Sequence, residues 1–221
     1  MSDLGVRNAA EGAASRAFLP SRLQRQRISA FPFIKRGCDI ALSVALLLPV
    51  GIICFVVWCV NAWLNPGKLF FTQMRIGRNE RPFRILKLRT MTGAAGDARF
   101  ATDEAHRITR FGAMLRSKRI DELPQVINIL LGHMSFIGPR PEQPNFYQTF
   151  SETIAGYRLR QNVRPGLSGL AQVAQGYADD ASSTRTKLRY DMHYIRNMGF
   201  RMELYVLVQT VRVVLTGYGA R

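Results

Sequence analysis

Asp121 and Glu122 stand side by side in the stretch RIDELPQVINILLGHMSFIGPRPE, residues 119–142. Arg116, Lys118 and Arg119 precede the pair, Arg140 follows it, and no other acid lies between Glu104 and Glu142. In a chain of net charge +16 this sets two carboxylates apart among cations. One account is a helix start: Asp caps free amides, and Pro124 suits a first helical turn. The other is chemistry on an anion. A carboxylate among cations, at the positive end of a helix, is expected to have a depressed pKa and to be ionised and nucleophilic near neutral pH. Two adjacent carboxylates also suit Mg2+, which takes one or two of them and completes its shell with water and phosphate oxygens.

The cations around the pair divide into candidates for phosphate contact and solvated surface. In GPRPE, prolines on both sides of Arg140 restrict its backbone, so a planar, bidentate guanidinium is presented at little entropic cost. Arg164, before Pro165 and Gly166, supports the same argument. Lys87 and Arg89 in KLRTM either meet phosphate or face solvent on a strand. His106, His133 and His193 have no evident partners. Cys38, Cys54 and Cys59 fall in or beside one apolar stretch without metal or disulfide spacing, and read as reduced apolar filler.

That stretch runs uncharged from Ile40 to Gly67. Its apolar part, Ile40 to Leu64, is about 37 Å long as a helix, enough for a bilayer core of about 30 Å. Arginine and lysine crowd both flanks: Lys35 and Arg36 before it, Lys68 and Arg75 after it. Positive charge marks the cytoplasmic side, and here both flanks claim it. Pro49 removes a helical hydrogen bond and predicts a kink near residues 46–49. A helix that enters, bends at Pro49 and returns satisfies both flanks; a straight span is the alternative. Trp58 and Trp63 suit the lipid–water interface.

The remainder divides simply. Residues 1–30 read as a mobile basic tail resting on anionic lipid. Residues 31–66 form the membrane segment and 67–221 a compact cytosolic domain. Apolar runs on either side of a Gly77–Asn79 turn signal predict a short hairpin. Ile108, Phe111 and Leu115, then Leu123, Val126, Ile127 and Leu130, repeat at helical spacing. RPGLSGLAQV, residues 164–173, reads as a glycine-punctuated turn region. A last helix over roughly 202–215 is open to docking on the core or lying along the membrane.

Seven strings in order, KRGCDIALS, KLRTM, DELPQ, N-x-L-x-G-x-M-S, GPRPE, RPGLSG and YDMHYIRN, resemble the small monotopic bacterial sugar transferases, or polyprenyl-phosphate phosphoglycosyl transferases. The likeness covers nearly all of residues 33–217 and is greatest to the exopolysaccharide-initiating branch; the chain looks like a minimal member without the extra N-terminal membrane helices of larger relatives. The resemblance implies an α/β, mostly helical, monotopic membrane protein. It implies a re-entrant helix broken at Pro49, a short β-hairpin and amphipathic interfacial helices. It further implies transfer of a sugar-1-phosphate from a UDP-sugar to undecaprenyl phosphate, with release of UMP, at the cytoplasmic face of the inner membrane. Asp121 would be the nucleophile that forms a phosphosugar intermediate, and Glu122 its partner at Mg2+. Lys87, Arg89, Arg116, Arg140 and Arg164 would meet the phosphates of donor and acceptor.

The partners implied are the UDP-sugar, undecaprenyl phosphate and inner-membrane lipids, with no nucleic acid. Three positions depart from the family pattern. Leu48 replaces a serine before the kink proline, Arg119 a small polar residue, and His133 an acid. The last two make the site more basic. The rival from another class is a non-catalytic basic membrane protein that binds anionic lipid or nucleic acid, with charge spread over its faces and indifferent to Asp121.

Overall fold

In the computed structural model the described residues are 30–92, 105–175 and 181–216. The basic tail expected over residues 1–30 lies outside them, Ala30 excepted.

Helix α1 (Phe31–Leu64) is a single 34-residue helix that continues through Pro49. Proline has no N–H to give the Ala45 carbonyl, so the bond expected to be lost is lost, yet helical assignment persists across it. Asp39, Ser43, Val50, Val57 and Asn61 are its buried residues and fall on one narrow stripe. Phe33, Leu48, Phe55, Trp58 and Trp63 on its other faces are exposed. By length and composition α1 is able to cross a membrane.

Both ends of α1 are tied to the same domain. Near its start, Lys35 pairs with Glu203 at 2.5 Å, and Arg36 donates to the Ile129 and Leu130 carbonyls at 2.6 and 2.8 Å. Those carbonyls end a helix, where cations are favoured. Buried Asp39 accepts from Ser135 Oγ (3.0 Å) and from the Phe136 amide (3.2 Å). Near its end, Val57 packs with Leu88 and Leu115. Just beyond it, Asn65 donates to the Arg89 carbonyl at 3.2 Å.

The hairpin forms as the alternation predicts. Strands β1 (Phe70–Ile76) and β2 (Pro82–Leu88) pair antiparallel with Phe70 opposite Leu88. Phe83, Ile85 and Leu88 face the core. The turn is tighter and more strained than its sequence suggests: Asn79 and Glu80 both take positive φ, 54° and 60°. Helix α2 (Arg110–Ser117) is capped by Thr109, whose hydroxyl accepts from the Gly112 amide at 2.9 Å.

Asp121 does not cap the next helix. It sits with Glu122 in a 3-10 turn (Ile120–Glu122) entered through Arg119 in left-handed backbone, and Pro124 stands at the cap of α3 (Gln125–Leu130). The residues read as a glycine-punctuated turn include a short strand. Strand β4 (Gly166–Ser168) runs parallel to β3 (Ser135–Ile137). Gly138 and Gly166 make this possible, since a Cβ on Gly166 would lie 2.1 Å from the Gly138 nitrogen.

Four more α-helices follow among the described residues: α4 (Pro144–Thr153), α5 (Leu170–Gln175), α6 (Ala181–Arg196) and α7 (Phe200–Thr216). Helix α7 docks on the core along one face and leaves its other face exposed. Val206 is fully buried with Ile137, Leu170 and Tyr194, while Phe200, Leu204, Val208 and Leu215 remain exposed. The chain is thus mostly helical, with one long apolar helix and small two-stranded sheets.

Candidate active site

The acidic pair is held against strand β2 by one buried amide. Asn128 on α3 accepts from the Leu86 amide (2.9 Å) and donates to the Arg84 carbonyl (2.8 Å). This bidentate bond fixes α3, and the 3-10 turn before it, beside Lys87. Glu122 is 7% exposed, and its Oε1 receives both Lys87 Nζ at 3.0 Å and Arg140 at 2.6 Å. Arg119 lies 3.9 Å from Oε2, beyond hydrogen-bond length. Burial disfavours the Glu122 charge, but Arg140 and Lys87 outweigh it and hold its pKa well below the ordinary glutamate range.

Asp121 behaves differently. It is 8% exposed, and among the described residues no donor reaches its carboxylate within hydrogen-bond distance. Burial raises its pKa; Lys87, Arg116 and Arg140 pull the other way, and Glu122 adds to the rise. The depressed pKa expected for both carboxylates therefore holds for Glu122 alone. The expectation rested on the surrounding cations and on a helix dipole; the cations do pull the pKa down, but α3 has only six residues and begins after the pair. Desolvation decides Asp121 instead. A carboxylate without hydrogen-bonding partners, among cations that attract an anionic ligand, is well suited to attack once ionised.

Arg140 is presented by a second buried network that composition did not reveal. Arg160, 1% exposed, donates to Asp191 at 2.8 Å, to the Tyr157 hydroxyl at 2.7 Å and to the Arg140 carbonyl at 3.0 Å. Glu142, two residues past Arg140, pairs with Lys187 and accepts from Arg160 at 3.5 Å. Burial opposes the Arg160 charge, yet Asp191, Tyr157 and Glu142 keep it firmly protonated. Arg75 donates to the Pro141 carbonyl at 3.1 Å, and the Ile76 amide to the Glu142 carbonyl at 2.9 Å. The backbone on either side of Arg140 is thus fixed by groups far away in sequence.

The residues singled out from sequence therefore separate. Asp121, Glu122, Lys87 and Arg140 converge, with Arg116 close enough to act on Asp121 electrostatically. Arg89 goes elsewhere: it donates to the carbonyls of Asn65, Pro66 and Lys68, closing the loop after α1. Arg164 donates to the Gly132 carbonyl at 3.0 Å and lines a cleft that includes none of the converging residues. His133 lies against Phe83, the rings tilted by 31° with centres 5.7 Å apart.

Sequence reasoning passed over Asp39, Asn128 and Arg160. Asp39 and Asn128 had a signal, since they stand in the strings KRGCDIALS and N-x-L-x-G-x-M-S, but neither was given a role; Arg160 had none.

No described group of three or more His, Cys, Asp or Glu side chains is able to enclose a metal. Asp121 and Glu122 are a donor set of the two-carboxylate kind that Mg2+ accepts, with water and phosphate completing its shell; Lys87 and Arg140 both meet Oε1 of Glu122.

A family model described as bacterial sugar transferase matches residues 30–217. The chain is 44% identical over 194 residues to a UDP-N-acetylgalactosamine-undecaprenyl-phosphate N-acetylgalactosaminephosphotransferase of Aeromonas hydrophila, covering 86% of this chain and 46% of that protein. It is 33% identical over 183 residues to the UDP-glucose:undecaprenyl-phosphate glucose-1-phosphate transferase of Escherichia coli K12, covering 80% of this chain and 39% of that protein. It is also 33% identical over 192 residues to the exopolysaccharide production protein PSS of Rhizobium leguminosarum, covering 83% of this chain and 96% of that protein. The chain spans less than half the length of the first two.

Proposed function

This chain belongs to the bacterial sugar transferase family, and on that premise we propose that it transfers a sugar-1-phosphate from a UDP-sugar to undecaprenyl phosphate, releasing UMP. The relatives' names support the donor and acceptor classes, and one of them names exopolysaccharide production; initiation of such a polymer is the role we propose. The observation that carries the chemistry is the asymmetry of the pair. Glu122 is locked ionised between Lys87 and Arg140, while Asp121 beside it has no hydrogen-bond donor among the described residues.

Asp121 attacks the β-phosphorus of the donor. The bond from that phosphorus to the bridging oxygen breaks, and UMP leaves with the electron pair. An oxygen of undecaprenyl phosphate then attacks the same phosphorus and expels the Asp121 carboxylate. Arg140, Lys87 and Arg116 stabilise charge gathering on the phosphoryl oxygens, where fixed cations in a partly dry site act strongly. Glu122 keeps Lys87 and Arg140 in register. Asp121 and Glu122 would hold Mg2+, which would supply neutralisation of the diphosphate charge.

The acceptor is a lipid, and α1 supports a membrane-seated domain. Its two ends bind one polar domain through Lys35, Arg36 and Asp39 at the start and Val57 and Asn65 at the end. A straight crossing would put those ends on opposite sides of about 30 Å of hydrocarbon. We read the arrangement as entry and return, with α1 bending in the bilayer at Pro49, where it lacks one hydrogen bond, and both flanks on the cytoplasmic side. UMP release across a panel of UDP-sugars with undecaprenyl phosphate and Mg2+ tests the activity; release from none of them overturns it.

A further inference from the structure

A basic cleft stands apart from the acidic pair. It encloses about 290 Å³ and is bounded by the hairpin turn, Gly132, His133 and Arg164. Arg78, Arg81 and Arg164 all line it, and among the described residues none of the three forms an ion pair with an acid. Arg36 borders it: its guanidinium would lie 3.3 Å from a Cβ built on Gly132. Partial burial of Arg164, with Arg36 and Arg78 close by, lowers its pKa against the smaller opposing pull of Asp39. Guanidinia that outnumber the acids around a concavity favour an anion there.

The cleft does not serve the pair directly. Phe83 lines it near the start of β2, and Lys87 meets Glu122 near the other end, four residues and about 13 Å along the strand. Its surroundings are apolar on one side. Leu131, next to Gly132, is 64% exposed; Phe33 and Ile34, within a turn of Arg36, are 75% and 60% exposed. Arg36 itself lies near the start of the helix that enters the membrane. Guanidinia beside exposed apolar side chains match a phosphate ester carrying acyl chains better than a free phosphate.

We propose that Arg78, Arg81 and Arg164, with Arg36 at the rim, form a second phosphate site that holds the headgroup of an anionic membrane lipid. The site seats the hairpin end of the domain on the bilayer and is separate from the transfer chemistry. It rests on the membrane-seated reading of α1, not on the role of Asp121.

The test uses the full chain in a neutral maltoside detergent, with three probes: dihexanoyl phosphatidylglycerol, inorganic phosphate and UMP. Native mass spectrometry counts bound lipid and calorimetry gives affinity. One phosphatidylglycerol per chain is expected, bound about tenfold or more tighter than inorganic phosphate. The exposed Arg78 and Arg81 make no side-chain hydrogen bond among the described residues, so Arg78→Gln/Arg81→Gln folds and weakens lipid binding by about tenfold or more. Asp121→Asn binds the lipid as wild type does, which separates this site from the transferase reading. Wild-type lipid affinity in the double variant overturns the proposal. So does inorganic phosphate or UMP binding as tightly as the lipid, which would make the cleft a site for free or nucleotide phosphate.

Discussion

Replacing Glu142 with Gln removes a charge but keeps the shape, and the structure gives the size of the effect. Burial opposes the Glu142 charge, while Lys187 and Arg160 outweigh it and hold its pKa at about 2 against an ordinary 4.5. A carboxyl held that far down in the folded state contributes about 3 kcal/mol of stability above its unfolded pKa. That contribution is complete above about pH 4.5 and is lost as pH falls toward 2. The assay is thermal unfolding of both proteins in one detergent from pH 7 downward. Glu142→Gln is expected to unfold on the order of 10 °C lower at pH 7, with the gap closing as pH falls from 4.5 toward 2. Glu142 also steadies the segment that presents Arg140, so KM is expected to rise more than kcat falls. No gap at pH 7, or one unchanged between pH 4.5 and 2.5, would refute the account of this network.

Arg140→Ala leaves Glu122 with fewer partners and is expected to cost about 1.5–3 kcal/mol in kcat/KM, with Lys a poor substitute for the planar fork. Asp121→Asn is expected to abolish transfer while the melting temperature holds or rises, because burial already disfavours the Asp121 charge; for the same reason the acid limb of the wild-type pH–rate profile should lie above the ordinary aspartate value of 3.8. Asp39→Ala strands the Phe136 amide and the Ser135 hydroxyl and should lower stability by about 2–4 kcal/mol, whereas Asn keeps an acceptor and should cost less, both read by thermal unfolding. Glu80→Gly relieves left-handed backbone at the hairpin turn and should stabilise by up to about 1 kcal/mol, since the exposed pair with Arg158 that it removes contributes little.

Local pattern carried the elements built from contiguous residues. Alternation of Phe83 and Ile85 with Arg84 drew the hairpin, and the uncharged run drew α1. The isolation of Asp121 and Glu122 among cations marked the pair. What the pattern left out depends on contacts between distant segments. Glu122 takes its cations from positions 35 residues before it and 18 after it. Arg160 finds Asp191 at a separation of 31 residues. Three-residue strands such as β3 and β4 have too little alternation to see, and their pairing rests on Gly138 meeting Gly166. Arg89 has a role that KLRTM does not display: its guanidinium donates to carbonyls that close the loop after α1. The pKa of Asp121 was misjudged because sequence displays charge and conceals burial.

The covalent step is the central claim, and a single-turnover experiment reaches it directly. Wild-type protein is mixed with Mg2+ and a UDP-sugar labelled in the sugar, with no lipid acceptor. A burst of UMP approaching one equivalent per active site is expected, with labelled phosphosugar on the peptide that contains Asp121, discharged when undecaprenyl phosphate is added. Label on a different residue, or UMP formed only after the acceptor is added, would contradict Asp121 as the nucleophile.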